Sequence, residues 1–129
     1  MNKKILIVLA NYYKNISDGL LKSALKNIPK STYVKIIRVP GVFEIPVTIS
    51  KNLKKFDAFL ALGCVIKGQT PHFDFISKAS TNAIMDMSVG QKKPVGNGII
   101  TCLNMKQAIA RKNKGAEAAN AVISILLQK

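Results

Sequence analysis

Two apolar runs constrain this chain more than anything else in it. Residues 5–10, Ile5-Leu6-Ile7-Val8-Leu9-Ala10, are apolar without a break, and residues 57–65 are apolar once past Asp57. Each is short and neither alternates with polar residues. The pattern predicts strands buried on both faces, the arrangement of a parallel sheet covered by helices. The segments around them fit. Ile16, Leu20, Leu21, Ala24, Leu25 and Ile28 keep helical spacing, with Asn15 or Ser17 as candidate caps and Pro29 as the stop. Residues 33–39 read as a second strand, and Pro46 suits the first turn of a helix reaching about residue 54. A long helix to about residue 89 follows the second run, with Phe73, Ile76, Ala83, Ile84 and Met87 on one stripe. Residues 94–101 read as a fourth strand, interrupted at Gly96-Asn97-Gly98 by a bulge or a close backbone approach, with Asn97 as an odd core residue. Asn104 and Gln107 read as a capping pair for a short helix to Lys112, which Lys114-Gly115 breaks. A last helix over 116–127, apolar almost all round, is expected to be covered by a neighbouring subunit. Strands alternating with helices predict one α/β domain over residues 1–129, with a parallel sheet covered on both faces.

The longest apolar run, near residues 58–66, is far too short for a membrane span. The first ten residues imitate a signal peptide, but the apolar block is short and lacks a cleavage site, so they are read as a strand in a cytoplasmic protein. Cys64 and Cys102 form no metal or redox spacing and are read as small buried hydrophobes. The net charge of +14 invites a nucleic-acid reading. Against it, every basic residue except Arg38 and Arg111 is lysine, scattered along helix faces, whereas base readout favours arginine. Anionic small substrates would feel the same field.

The second apolar run leads into Lys67-Gly68-Gln69-Thr70-Pro71-His72. Threonine suits an N-cap and proline the first helical position, which puts the only histidine in the first turn of a helix just past a core strand. Ligands bind at that edge of an open α/β sheet. Free amides at such a helix start suit a phosphate, and the positive end of the helix dipole disfavours imidazolium. Tyr12, the turn from Gly41 to Glu44, residues 68–72 and Asn97 are all expected at or near strand C-terminal ends, where one pocket would unite them.

Five motifs resemble the 6,7-dimethyl-8-ribityllumazine synthase family over essentially the whole chain. They are Val39-Pro40-Gly41-Val42-Phe43-Glu44-Ile45-Pro46, the stretch from Ala61 to Asp74, Pro94-Val95-Gly96-Asn97-Gly98, Gln107-Ala108-Ile109-Ala110-Arg111, and Asn113-Lys114-Gly115. The resemblance implies a flavodoxin-like three-layer α/β/α fold with a four-stranded parallel sheet in the order 2-1-3-4. It implies a cyclic homopentamer with active sites between subunits, and it allows association with riboflavin synthase. The implied reaction is a transferase step of riboflavin biosynthesis. It condenses 5-amino-6-(D-ribitylamino)uracil with 3,4-dihydroxy-2-butanone 4-phosphate, without cofactor or metal.

Carried over residue by residue, Tyr12 stands against the pyrimidine ring. Val42, Phe43 and Glu44 hold the ribityl amine, as do the backbone groups of Cys64, Val65 and Ile66. Gln69 and Thr70 meet the phosphate-bearing substrate, beside Gly68, and His72 is the acid/base. From the adjacent subunit Asn97 lines the ring pocket and Arg111 takes the phosphate, while Lys114 and Glu117 align with charged residues around the site. The chain departs from the family at three points. Tyr12 replaces the commoner phenylalanine, only Lys112 separates Arg111 from Asn113, and the chain begins almost at its first strand. The shortened loop and the lysine-rich outer faces lead us to expect isolated or weakly paired pentamers, not a closed capsid. The competing readings are a non-catalytic phosphate- or nucleotide-binding module, or a shell-forming protein of the same fold. Neither a glycine-rich dinucleotide fingerprint nor a P-loop follows the first strand.

Overall fold

The structure, a computed structural model, describes residues 2–68 and 71–128. Four strands, β1 (Lys4–Ala10), β2 (Tyr33–Val39), β3 (Ala58–Ile66) and β4 (Val95–Cys102), form one sheet in the order β2-β1-β3-β4. Every pairing in it is parallel. Helices α1 (Lys14–Lys26) and α5 (Lys114–Leu126) cover one face, and α2 (Ile45–Lys51) and α3 (His72–Gln91) the other. A 3-10 turn, Val42–Glu44, leads into α2, and the short α4 (Met105–Ala110) follows β4. This is the flavodoxin-like three-layer fold.

The two apolar runs form the centre of the sheet, as their lack of alternation requires. Ile5, Ile7 and Leu9 of β1, with Leu60, Leu62 and Cys64 of β3, point toward α1 and α5. Leu6, Val8 and Ala10, with Phe59, Ala61 and Val65, point toward α2 and α3. Both faces of both strands are therefore dry. The edge strand β2 carries Lys35 and Arg38 outward, and of its residues only Val39 is buried.

Three expectations change in detail, and of the two readings of Gly96 and Gly98 the close approach holds. No bulge interrupts β4: its register with β3 runs unbroken from Val95 to Cys102. The glycines serve close approach instead. A Cβ at Gly96 would lie 2.5 Å from Leu60 and 2.7 Å from the Ala118 carbonyl oxygen, and one at Gly98 2.4 Å from Leu62. Asn97 is no core residue, since its side chain is exposed and accepts the Ile99 N–H at 3.0 Å. Lys114-Gly115 does not break a helix but opens α5, and the break falls at residues 111–113. The inner face of α5 packs on its own chain, with Gly115, Ala118, Ala119 and Val122 buried against α1 and β4, while Ala121 and Ile125 stay exposed. Helix α1 has no side-chain cap. Ser17 lies inside it, where its buried hydroxyl donates to the Ala10 carbonyl at the end of β1.

The capping pair of α4 forms as the sequence suggests. The Asn104 side chain accepts from Gln107 N–H at 2.9 Å, while the Gln107 side chain accepts from Leu103 N–H at 2.8 Å. Among the described residues no helix is long and apolar enough to cross a membrane.

Candidate active site at the C-terminal edge of the sheet

A cavity of about 620 Å³ opens where β1 and β3 end. Four segments meet there. The loop after β1 brings Tyr12 and Tyr13, and the 3-10 turn after β2 brings Val42, Phe43 and Glu44. The last residues of β3, Cys64, Val65 and Ile66, form the floor, and the start of α3 contributes His72 and Ile76. This is the crevice outside the strand ends that an open α/β sheet offers a ligand. The volume lies within the range of small-molecule sites, roughly 300–1,000 Å³.

Local packing explains why the segments converge. Asn11 N–H donates to the Val39 carbonyl at 2.9 Å, which ties the end of β1 to that of β2. Gly63 lets the 3-10 turn sit on the sheet: a Cβ there would come within 2.9 Å of Val42 and 3.0 Å of Ala10. Gly41 makes room for the Glu44 carboxylate, whose Oε1 would be 3.2 Å from a Cβ at that position. Its own backbone is extended (φ −148°), so space, and no unusual torsion, explains glycine here. Tyr12 and Phe43 stand exposed at the mouth, 75% and 65% accessible, while Val42 is buried beneath them. The cavity thus has two open aromatic faces, one carboxylate and one imidazole around a strand-end floor.

Helix α3 starts at His72, with Pro71 one residue before it and not at the first helical position. The Pro71 carbonyl accepts the Phe75 N–H at 3.2 Å. Gln69 and Thr70, and with Thr70 the proposed cap, lie outside the described residues. Gly68 is exposed at the end of β3, with open space where a side chain would be. Cys64 and Cys102 are free and buried. Burial pushes the Cys64 thiol up to about 12, with the neighbouring Cys102 adding to the shift through charge and a hydrogen bond. The Tyr13 hydroxyl is also raised above its usual range, by burial first and then by Tyr12 and Cys64. Among the described residues no three His, Cys, Asp or Glu side chains group to hold a metal.

The remaining sequence candidates lie elsewhere. Asn97 is the third residue of β4, paired with Ala61 mid-sheet, so it is not at a strand C-terminal end. Arg111 caps the C-terminus of α4, exposed, with Nη1 donating to the Thr101 carbonyl at 3.4 Å. That carbonyl belongs to the outer edge strand beside Val65, so Arg111 is at the same end of the sheet but outside the cavity. Lys114 and Glu117 pair with each other at 2.7 Å on the surface of α5. Sequence reasoning passed over Tyr13 and Ile76 as lining residues. Signals existed for both: Tyr13 adjoins Tyr12 at a strand end, and Ile76, four residues after His72, shares its helix face.

Fold and cavity together define a flavodoxin-like α/β protein with a small-molecule pocket beyond the carboxyl ends of its central strands. A model of the 6,7-dimethyl-8-ribityllumazine synthase family matches residues 2–129. The 6,7-dimethyl-8-ribityllumazine synthase of Bartonella bacilliformis is 43% identical over 139 residues, covering all of this chain and 91% of that protein. That of Cutibacterium acnes is 41% identical over 132 residues, 95% of this chain and 80% of the relative. That of Bartonella henselae is 43% identical over 136 residues, 97% and 87% respectively. The chain belongs to the 6,7-dimethyl-8-ribityllumazine synthase family.

Proposed function

We propose that the chain, as a single domain, condenses 5-amino-6-(D-ribitylamino)uracil with 3,4-dihydroxy-2-butanone 4-phosphate to 6,7-dimethyl-8-ribityllumazine in the cytoplasm. The observation that carries this reading is one cavity lined by Tyr12, Val42, Phe43, Glu44, Cys64, Val65, Ile66 and His72 together. The 5-amino group adds to the ketone and loses water to give an imine. Phosphate then leaves, and the ribitylamino nitrogen closes the second ring with loss of another water. Proton transfers dominate this sequence, and His72 at the cavity wall is the group suited to carry them. Tyr12 stacks on the pyrimidine. Val42, Phe43 and Glu44 hold the ribityl chain with the help of the backbone of residues 64–66. Gln69, Thr70 and Arg111 serve the phosphate of the second substrate. Mixing the protein with both substrates should give the fluorescence of the lumazine, and neither substrate alone should. A reaction no faster than the mixture without protein would overturn the reading.

The assembly belongs to the same proposal: a homopentamer whose sites lie between subunits, with Asn97 and Arg111 serving the neighbour's cavity. Two facts support it. Both residues are exposed and stand apart from the cavity of their own chain. Helix α3 buries only Ser80 and Ile84 of its twenty residues and leaves Phe75, Met85 and Val89 open, a face that suits burial by another copy. The three-residue link between α4 and α5 and the lysine-rich surface favour pentamers over a closed shell. Sedimentation at physiological salt separates the outcomes. An active monomer would refute the pentamer, and a dominant species near sixty subunits would refute its isolation.

A further inference from the structure

Tyr13 lines the cavity but has no part in the chemistry above. Tyr12, the proposed stacking residue, is 75% exposed, so little of the protein restrains its ring. Its aromatic contact in the structure is Tyr13, which it meets edge to face, with centroids 4.9 Å apart and planes at 78°. Tyr13 is fixed where Tyr12 is not. Its ring is half-buried and packs against the core beneath α1 and α5. Its carbonyl accepts the Ser17 N–H at 2.9 Å, while the Ser17 hydroxyl holds the end of β1. On the other side Asn11 is tied to β2 through its backbone and, at 3.3 Å, through Arg38. A loose ring thus leans on an anchored one. Whichever ring supplies the edge, at least one face of Tyr12 stays clear for a planar ligand.

We propose that Tyr13 is a positioning residue of the pyrimidine subsite, holding the plane of Tyr12 before the substrate arrives. The inference rests on the functional reading above. Preorganising a stacking ring improves binding by sparing the cost of ordering it on association. An edge-to-face pair of this kind corresponds to about 2- to 12-fold in affinity. The effect should fall on one substrate only, since the phosphate-bearing substrate does not stack.

A double-mutant cycle on Tyr12 and Tyr13 tests this. Tyr13→Leu should raise KM for the ribitylaminouracil by about 2- to 12-fold, with kcat and KM for the butanone phosphate unchanged. Tyr13→Phe keeps the ring and should restore KM to within about twofold of wild type. In a Tyr12→Leu background, Tyr13→Leu should add nothing further. Equal factors in both backgrounds would overturn the inference, as would a fall in kcat alone, or a Tyr13→Phe variant as impaired as Tyr13→Leu. Near-ultraviolet circular dichroism of the unliganded variants reads the coupling without turnover. The Tyr13→Leu spectrum should match that of the double variant, because Tyr12 loses its fixed orientation with its partner. A wild-type protein that makes no lumazine while this coupling appears refutes the functional reading alone. Turnover without the coupling refutes the role of Tyr13 alone.

Discussion

Gly115 offers the sharpest perturbation of the scaffold. It is the second residue of α5, buried where that helix crosses α1. An added Cβ would lie 2.0 Å from the Leu20 carbonyl oxygen, 2.9 Å from its carbon and 2.7 Å from Ser23 Oγ. Two of those three atoms are backbone, so no rotamer change relieves the overlap. The helices would have to separate by roughly 1 Å, loosening the contacts of Ala119 and Val122, with a gross cost of about 3–4 kcal/mol, at or above the usual overpacking range. Alanine returns up to about 1 kcal/mol of helix propensity. The net loss for Gly115→Ala should therefore be about 2–3 kcal/mol, or about 7–12 °C in Tm for a chain of this size. Gly90 in α3 is the control, because nothing lies within 4 Å of its would-be Cβ. Gly90→Ala should stabilise by about 0.5–1 kcal/mol. Urea unfolding of both variants and wild type at one protein concentration decides the matter. Equal stability of the two variants would refute the packing argument.

His72→Gln should lower turnover by roughly 10- to 10⁴-fold, the span of lost acid–base help, with sedimentation and unfolding unchanged; wild-type rates would remove the imidazole from the reaction. Arg111→Ala should weaken the butanone phosphate by about 1.5–3 kcal/mol, with lysine restoring part of it, and should cost little stability because its bond to Thr101 is long and exposed. An unchanged KM would assign the phosphate to another cation. Cys64 sets an alkaline limit: its folded pKa lies above the ordinary 9.0, so its contribution is whole below pH 9 and is lost as pH rises toward about 12. Stability measured from pH 8 upward should fall less steeply in Cys64→Ala, and parallel profiles would contradict the assignment.

The layers of this fold were legible because β1 and β3 are buried on both faces and say so in composition, and because the residues of α1 keep helical spacing. The pocket was legible through its odd residues at strand ends, and through motifs whose spacing survives in the structure. What failed depends on space between elements, which periodicity does not encode. Gly96 and Gly98 left two readings open for the same reason, since they look alike in sequence whether they bulge a strand or admit α5. Asn97 reads as buried because a strand on a purely internal position would bury it; β4 is an edge strand, and its side chain is exposed. Arg111 gave no signal of its own, as an arginine at a helix C-terminus is also explained by the helix dipole. Its candidacy came from the motif around it.

If this cavity joins two substrates and expels phosphate in one reaction, the two products must appear together. Phosphate release and lumazine fluorescence can be followed in one cuvette. Both products should form in equal molar amounts with both substrates present, neither should form with either one omitted, and the His72 variant should lose the two signals in parallel. Phosphate without lumazine, or lumazine formed at the rate seen without protein, would contradict this reading.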